Sequence, residues 1–303
     1  MSIFNALLRP VSKMEIEKRR TEAVVTAQET ENEEVVTAVE NTGTSFITTA
    51  HPENLEDAVT VENYFKAKEI AIDLSHSNND FAPVEELAML LAMNYDKCKD
   101  FYKYLRGVIA KKKFDICYNT YPLSSEERVA TNMVAEKLGK FGVISNLRIP
   151  DNSKEITGRL STAPRVINFL NGDYLEFYSR IVVKQIVEKI AKEKKCDYEL
   201  YSNVIIRKDS EKHELDIVFR VGKEVFWAEI KSGKFSDFDC YRRLGVLMGV
   251  NPDKHILLSA EKTKEEAETI SWFYQFYVSN IHMFKEKLVE MIEHAFVEES
   301  KND

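Results

Sequence analysis

Hydrophobic and polar side chains alternate along residues 213–221 in the second half of the chain. Gly222-Lys223 follows as a two-residue connection, and residues 224–231 are expected to run back beside the first segment. A period of two indicates a half-buried strand, and a two-residue connection that begins with glycine favours a type II′ turn. The pattern therefore predicts a tight β-hairpin.

The remaining periodic segments predict a mixture of helices and strands. Helices are predicted for residues 83–93, 97–110, 124–141, 173–194 and 236–248 and for two closing segments that end near residue 296. Strands are predicted for residues 114–120, 143–149, 199–208 and 255–259. Ser124 followed by Glu127 is the capping-box signature of a helix start. The later order of helix, three strands, helix and strand indicates an α/β fold with a mixed sheet flanked by helices.

The chain divides into three parts by composition and pattern. Residues 1–60 contain 5 Lys and Arg against 11 Asp and Glu and few large apolar side chains, which predicts a flexible acidic tail. Residues 61–160 predict a small α+β module that could be winged-helix-like, and residues 161–303 predict the α/β domain. The apolar segment 2–8 could bind a protein partner as a short helix, or it could be a frayed terminus.

Net charge and cysteine usage narrow the class of protein. The net charge is −8, and most of it belongs to the tail, so the rest of the chain has no global basic field for nucleic acid. The 4 cysteines are scattered, which argues against a zinc site. The sequence has no apolar run long enough for a membrane span and no secretion signal, so we expect a cytoplasmic protein.

Closing the hairpin on its turn places Asp216 opposite Glu229, and Lys231 shares their face. Opposed strand residues have Cβ atoms about 4.5–5.5 Å apart, and like charges there are destabilising. A divalent cation would compensate, and Mg²⁺ commonly uses one or two carboxylates together with water and substrate phosphate. The other face is expected to carry the apolar side chains Leu215, Ile217, Phe219, Phe226, Ala228 and Ile230.

An exposed hairpin without a catalytic role is the alternative interpretation. Its stabilising contact would be a cross-strand ion pair between Glu214 and Lys231, worth at most about 1 kcal/mol. That interpretation leaves the opposition of Asp216 and Glu229 unexplained.

Asp216 and the segment Glu229-Ile230-Lys231 spell D-x12-E-x-K, and with the order of elements this resembles the PD-(D/E)XK nucleases. Leu215 stands where the family name has proline. The resemblance implies a restriction-endonuclease-like fold in which Asp216 and Glu229 hold Mg²⁺ or Mn²⁺ and the Ile230 carbonyl is a further ligand. It also implies that Lys231 positions or deprotonates the attacking water. A nearby metal and partial burial would lower the pKa of Lys231.

A closer resemblance concerns Glu176. The segments Leu170-Asn-Gly-Asp-Tyr-Leu-Glu176, Glu214-Leu-Asp216 and Glu229-Ile-Lys231 are similar to the nuclease domain of the CRISPR-ancillary nucleases that cyclic oligoadenylates activate. The resemblance covers roughly residues 164–294 and implies a metal-binding role for Glu176. On spacing alone, Glu176 could equally satisfy helix-start amides with Asp173 as the N-cap. Residues 61–160 do not match the nucleotide-sensing domain of that family, so activation by a cyclic nucleotide is not predicted.

Three further residues are candidates for binding substrate. Arg242 or Arg243 could contact a phosphate bidentately, or both could be solvated at the surface. Ser232 could donate a hydrogen bond to phosphate or simply end its strand. The aromatic segment 272–277 is expected to be buried packing rather than a platform for stacking bases.

The sequence thus predicts a Mg²⁺- or Mn²⁺-dependent nuclease that hydrolyses phosphodiester bonds in DNA or RNA. The alternative is a non-cleaving nucleic-acid-binding or scaffold protein that keeps the nuclease fold. Residues 61–160 are expected to contribute substrate choice or homodimer formation.

Overall fold

The computed structural model describes residues 59–75, 82–150 and 154–302. The predicted acidic tail and the apolar segment 2–8 therefore lie outside the described residues, apart from the tail's last two positions. The helices are α1 (Val61–Lys66), α2 (Ala82–Met93), α3 (Tyr95–Ala110), α4 (Ser125–Lys140), α5 (Pro164–Asn168), α6 (Tyr174–Lys194), α7 (Phe238–Met248), α8 (Lys264–Tyr274) and α9 (Phe284–Asn302). The strands are β1 (Ala71–Asp73), β2 (Asp115–Asn119), β3 (Ile144–Arg148), β4 (Glu155–Leu160), β5 (Tyr198–Lys208), β6 (Glu211–Val221), β7 (Glu224–Lys231), β8 (His255–Ser259) and β9 (Tyr277–Ser279).

Most predicted helix and strand ends agree with the structure to within two residues. The predicted capping box at the start of α4 forms, since the Glu127 amide donates to Ser124 Oγ and the Ser124 amide donates to Glu127 Oε2. Strands β1, β4 and β9 have no counterpart in the predicted pattern, and β1 and β9, with 3 residues each, are too short to show a clear period.

A six-stranded sheet in the order β1-β5-β6-β7-β8-β9 forms the centre of the fold. Strands β1, β5, β6 and β7 pair antiparallel, whereas β7, β8 and β9 pair parallel. The mixed sheet flanked by helices that the sequence predicts is thereby confirmed. A separate antiparallel sheet in the order β2-β4-β3 belongs to residues 61–160.

One buried hydrophobic cluster extends from α2, α3 and α4 to α6 and one face of the six-stranded sheet. The rings of Tyr102 on α3 and Tyr174 on α6 meet inside it with centroids 5.1 Å apart. Residues 61–160 therefore share a core with the α/β part of the chain, and the boundary near residue 160 stays a prediction. Among the described residues, no helix combines the length and apolar character that a membrane crossing requires.

The aromatic segment 272–277 is only partly buried. Phe276 is 4% exposed, but Trp272 and Phe273 are 75% and 69% exposed. The prediction of buried packing is wrong for these two residues, because α8 turns them away from the sheet.

Arg220 on β6 forms a buried ion pair that ties the start of the described fold to the sheet. Its Nε and Nη2 atoms donate to Glu199 on β5 at 3.2 and 3.1 Å, and the second Glu199 oxygen accepts from the Val61 amide at 2.9 Å. The side chains of Arg220 and Glu199 are 5% and 6% exposed. Both charges are therefore compensated inside the protein.

Arg220→Met is expected to lower the free energy of unfolding by about 3–5 kcal/mol, because it leaves the Glu199 carboxylate buried without its cation. Urea denaturation measures this loss, and the double variant with Glu199→Gln should recover part of it. Arg159→Met is the matched control, since Arg159 pairs with Asp115 at the surface with 59% exposure and should cost at most about 1 kcal/mol. Equal losses for the two arginines would contradict the assignment.

Candidate active site

The predicted hairpin forms with the predicted register near its turn. Strands β6 and β7 pair from Val221 opposite Glu224 to Ile217 opposite Ala228. Gly222 has a φ of +61°, which the first central position of a type II′ turn requires and which glycine adopts without strain. The sequence therefore predicted this local geometry correctly.

The ladder between β6 and β7 stops one residue before the predicted pair of Asp216 and Glu229. Instead, the Asp216 carboxylate accepts a hydrogen bond of 2.7 Å from the backbone amide of Ile230. On the other side of β6, the pairing with β5 skips Asp216 and Asn203, whose φ is +54°. Asp216 thus lies where β6 loses its regular pairing with both β5 and β7. Its carboxylate takes the place of a backbone carbonyl as the acceptor for the Ile230 amide.

At Asp216 the alternation of β6 side chains between the two faces of the sheet is interrupted. Ile217 lies in the large cluster with α6, whereas Leu215 lies in a second cluster on the opposite face with Val204 and Val218. The prediction that Leu215 shares a face with Ile217 is therefore wrong. Strict alternation fails here because the strand is distorted where Asp216 bonds to Ile230.

Lys231 joins the two acidic side chains. Its Nζ lies 2.6 Å from Glu229 Oε1 and 4.0 Å from Asp216 Oδ2. The side chains are only partly accessible, at 31% for Lys231, 16% for Asp216 and 5% for Glu229. The structure therefore brings together the three residues that the D-x12-E-x-K spacing singles out.

The pKa of Lys231 is raised rather than lowered. Burial acts to lower this pKa, but the carboxylates of Glu229 and Asp216 stabilise the ammonium and outweigh it. The predicted lowering of the Lys231 pKa depends on a metal ion beside the amine, so it stays a prediction.

Burial is the largest cause that raises the pKa values of both acids. Burial raises the pKa of Glu229 to about 8, and the charge of Asp216 adds to the effect. Burial also raises the pKa of Asp216, against the opposing effects of Lys231 and the Ile230 amide. Glu229 Oε2 is buried and has no hydrogen-bond partner within the described part of the chain. A buried carboxylate oxygen without a partner is costly, so this atom is suited to a cation that the protein itself does not supply.

Glu176 lies in the first turn of α6, close enough to Asp216 and Lys231 for their charges to affect its pKa. Burial raises the pKa of Glu176 to about 7, and the charges of Asp216 and Asp173 raise it further. Asp173 has helical backbone angles and makes no side-chain capping hydrogen bond, so the capping alternative is wrong. Instead, a π-helical turn, Phe169–Asp173, joins α5 to α6, and the chain is kinked there at Gly172, whose φ of 174° is not helical.

Ser232 connects that π-helical turn to the end of β7. Its hydroxyl donates to the Asn171 carbonyl at 3.0 Å. A Cβ on Gly172 would lie 2.8 Å from Ser232 Oγ, so only glycine permits this close approach. The contact explains Ser232 as a positioning group, and its predicted contact with phosphate stays a prediction.

The residues that could hold a cation are Asp216, Glu229 and the backbone of Ile230. Within residues 59–75, 82–150 and 154–302, no group of three or more His, Cys, Asp and Glu side chains is arranged to hold a metal ion. In an antiparallel pair the N–H and C=O of one residue point to the same neighbour, so the Ile230 carbonyl faces β6 like its amide. Glu176 is thus not part of such a group among the described residues, and its predicted role as a further metal ligand stays a prediction.

A groove of about 610 Å³ opens beside Glu229. Arg243 and Tyr241 of α7 line it, whereas Arg242 instead points to Asp239, with Nε to Oδ1 at 3.4 Å. Lys231 Nζ lies 5.6 Å from the centre of the Tyr241 ring. Tyr241 was not among the predicted site residues, although its spacing from Gly245 and Met248, which are buried, could have placed it on the inner face of α7.

The fold and the site define an α/β protein whose mixed sheet carries two buried carboxylates and a lysine at the point where its pairing breaks. Similar folds are found in two solved structures. Can2 from Sulfobacillus thermosulfidooxidans, solved in complex with cyclic tetra-adenylate, matches with 19% identity over 77% of this chain and a TM-score of 0.53. Protein VC1899 from Vibrio cholerae matches with 16% identity over 78% of this chain and a TM-score of 0.52.

The comparisons show the fold and no more. This chain spans 61% of the length of each of those two structures. No protein-family model matches the chain, and no curated protein matches it in sequence.

Ionisation of Glu176 is expected to destabilise the folded protein as the pH rises. Its folded pKa of about 7 exceeds its ordinary value of 4.5, so stability is fully present below about pH 4.5 and is lost as the pH rises through about 7. In chelator, Glu176→Gln should therefore unfold at higher urea concentration than the wild type at pH 8 but not at pH 4. Glu193→Gln, on an exposed turn of the same helix, is the control and should track the wild type. A constant difference between Glu176→Gln and wild type at both pH values would contradict the assignment.

Proposed function

We propose that this protein is a Mg²⁺- or Mn²⁺-dependent nuclease of the PD-(D/E)XK type that hydrolyses phosphodiester bonds in DNA or RNA. The observation that carries the proposal is the pair of half-buried Asp216 and buried Glu229 beside Lys231, in which Glu229 Oε2 has no hydrogen-bond partner among the described residues. Two hard oxygen ligands and a backbone carbonyl are the equipment with which proteins bind such ions near phosphate. The likeness of the fold to Can2 supports the same class.

Asp216, Glu229 and the Ile230 carbonyl would hold the metal ion. When bound, such an ion lowers the pKa of a water molecule and stabilises negative charge on phosphate oxygens. A cation there would also offset the charge of Asp216, which raises the pKa of Glu229, and would favour the ionised form of both acids. The binding of metal and the ionisation of the acid pair are therefore linked, and metal should bind more tightly as the pH rises.

Lys231 and Glu176 would handle protons and water beside that ion. The ammonium of Lys231 has three donors, and contact with Glu229 need use only one of them, so the others can orient water or a phosphate oxygen. With a pKa of about 7, Glu176 can accept or release a proton near neutral pH, which suits a general acid or base. Arg243, in the groove beside Glu229, is placed to contact a phosphate next to the one attacked.

A non-cleaving nucleic-acid-binding protein is the second candidate function. The contact of 2.6 Å between Lys231 and Glu229 favours it, because an ammonium can neutralise part of the acidic charge without a metal. Metal-linked stability separates the two candidates, since an ion that binds the folded protein at a hundred times its Kd adds about 2.7 kcal/mol to the free energy of unfolding.

Wild-type protein is expected to gain thermal stability with Mn²⁺ and to cleave single-stranded or duplex DNA or RNA, with activity abolished by chelator. Asp216→Asn should remove the stabilisation and lower the cleavage rate by at least about a hundredfold, because the charge that holds the ion is lost. Lys231→Met should lower cleavage while the stabilisation by Mn²⁺ persists. Stabilisation without cleavage of any of these substrates would favour the non-cleaving protein, and neither effect in the wild type would refute the proposal.

Arg243→Ala is expected to reduce cleavage about tenfold or more, because Arg243 lines the groove beside Glu229. Arg242→Ala is the matched control on the next residue of the same helix. Arg242 pairs with Asp239 at the surface, so its replacement should change the rate less than about twofold. Steady-state cleavage assays measure both variants, and a larger effect at Arg242 would reverse the assignment.

A further inference from the structure

Helix α3 precedes the α/β part of the chain in sequence but is fixed against the candidate active site. The hydroxyl of Tyr102 donates to the Leu170 carbonyl at 2.6 Å, at the π-helical turn that leads to Glu176. The hydroxyl of Tyr95 donates to Glu261 Oε1 at 2.6 Å, just beyond the end of β8. Both contacts hold α3 in a defined position beside the sheet.

Three cationic side chains follow one face of α3. Lys99, Lys103 and Arg106 are spaced four and three residues apart, which places them on the same side of a helix. Lys99 Nζ and Lys103 Nζ lie 3.7 and 3.9 Å from Glu261 Oε2. Arg106 Nη2 lies 4.0 Å from the position that a Cβ would take on Gly233. We call these three residues the α3 basic row.

The α3 basic row runs along the edge of the sheet where the candidate site lies. Gly233 comes two residues after Lys231 at the end of β7, and Glu261 comes two residues after Ser259 at the end of β8. Lys231 and Ser259 are partners in the parallel pairing of β7 and β8. The row therefore passes the ends of the two strands beside the acid pair.

The spacing of the row fits a nucleic-acid backbone. Seven residues of α-helix advance about 10 Å, because each residue rises about 1.5 Å. A nucleic-acid strand presents one phosphate for each nucleotide, so a row of this length faces more than one phosphate of the same strand. A small metabolite with one phosphate would use only part of it.

The charge of the row is incompletely neutralised. Glu261 is one carboxylate shared by Lys99 and Lys103, at distances longer than a hydrogen bond. The Lys103 side chain is 51% exposed, so it can turn toward a polyanion. Asp96, an acidic neighbour on the same helix, pairs with His282 instead.

We propose that the α3 basic row binds consecutive phosphates of the nucleic-acid strand that the candidate site cleaves, on one side of the scissile bond. The proposal rests on the proposed nuclease function and adds a binding surface from residues 61–160. Phosphate contacts of this kind position a strand without reading its bases. The row should therefore set affinity and placement for DNA and RNA strands alike.

The test measures binding of the full chain to a short fluorescein-labelled single-stranded DNA, and to RNA of the same sequence, in chelator at several salt concentrations. The test variant combines Lys99→Gln, Lys103→Gln and Arg106→Gln. Loss of three phosphate contacts should reduce the slope of log K against log salt by about 2 and weaken binding on the order of tenfold or more. A strand with uncharged methylphosphonate linkages should bind wild type and variant alike.

Two further variants exclude indirect effects. Lys189→Gln with Lys192→Gln and Lys194→Gln removes the same charge from the distant end of α6 and should leave the slope unchanged. Lys99→Arg with Lys103→Arg and Arg106→Lys keeps the charge and should retain binding, which rules out misfolding at these positions. If the wild type binds and cleaves but the glutamine variant keeps its affinity and slope, the row is refuted and the nuclease stands. If the wild type neither binds nor cleaves, both proposals fail.

Discussion

The hydrogen bond from the Ile230 amide to the Asp216 carboxylate is the contact on which the candidate site depends. It ends the ladder between β6 and β7 and draws the Asp216 side chain into the gap that opens between them. In a regular ladder the Ile230 amide would bond to backbone and the acid would project away from the sheet. The distortion therefore brings the Asp216 carboxylate to the backbone of β7, and both acids lie within 4.0 Å of Lys231 Nζ.

The electrostatics of the candidate site follow from that geometry. Two buried acids with raised pKa values are held beside one ammonium, whose own pKa they raise. Within the described part of the chain, this arrangement leaves Glu229 Oε2 buried without a hydrogen-bond partner. Strongly perturbed pKa values are concentrated at functional sites. Glu229 on β7 and Tyr241 and Arg243 on α7 line the groove beside this atom.

The hairpin could be predicted from sequence because its signals are local: a period of two and a glycine at the turn. Glu176 was identified through resemblance to a known family, since its spacing alone left two interpretations open. The irregular pairing at Asp216 could not be predicted. The Asp216 carboxylate, rather than a backbone carbonyl, accepts the hydrogen bond of the Ile230 amide, and the pattern of hydrophobic and polar residues gives no sign of this. The same distortion moved Leu215 to the opposite face. Trp272 was assigned to the core because its segment is rich in aromatic residues, although composition does not determine which way a helix faces.

The central claim is that Asp216 and Glu229 share one divalent cation. Anomalous X-ray diffraction from crystals soaked in Mn²⁺ tests it most directly. The account predicts one anomalous peak about 2.0–2.2 Å from an oxygen of each carboxylate, with Lys231 Nζ displaced from Glu229 Oε1. The account would be contradicted if no peak appeared at this position while Lys231 kept its contact with Glu229, in crystals grown at a pH where both acids are ionised and with a nucleic-acid strand bound.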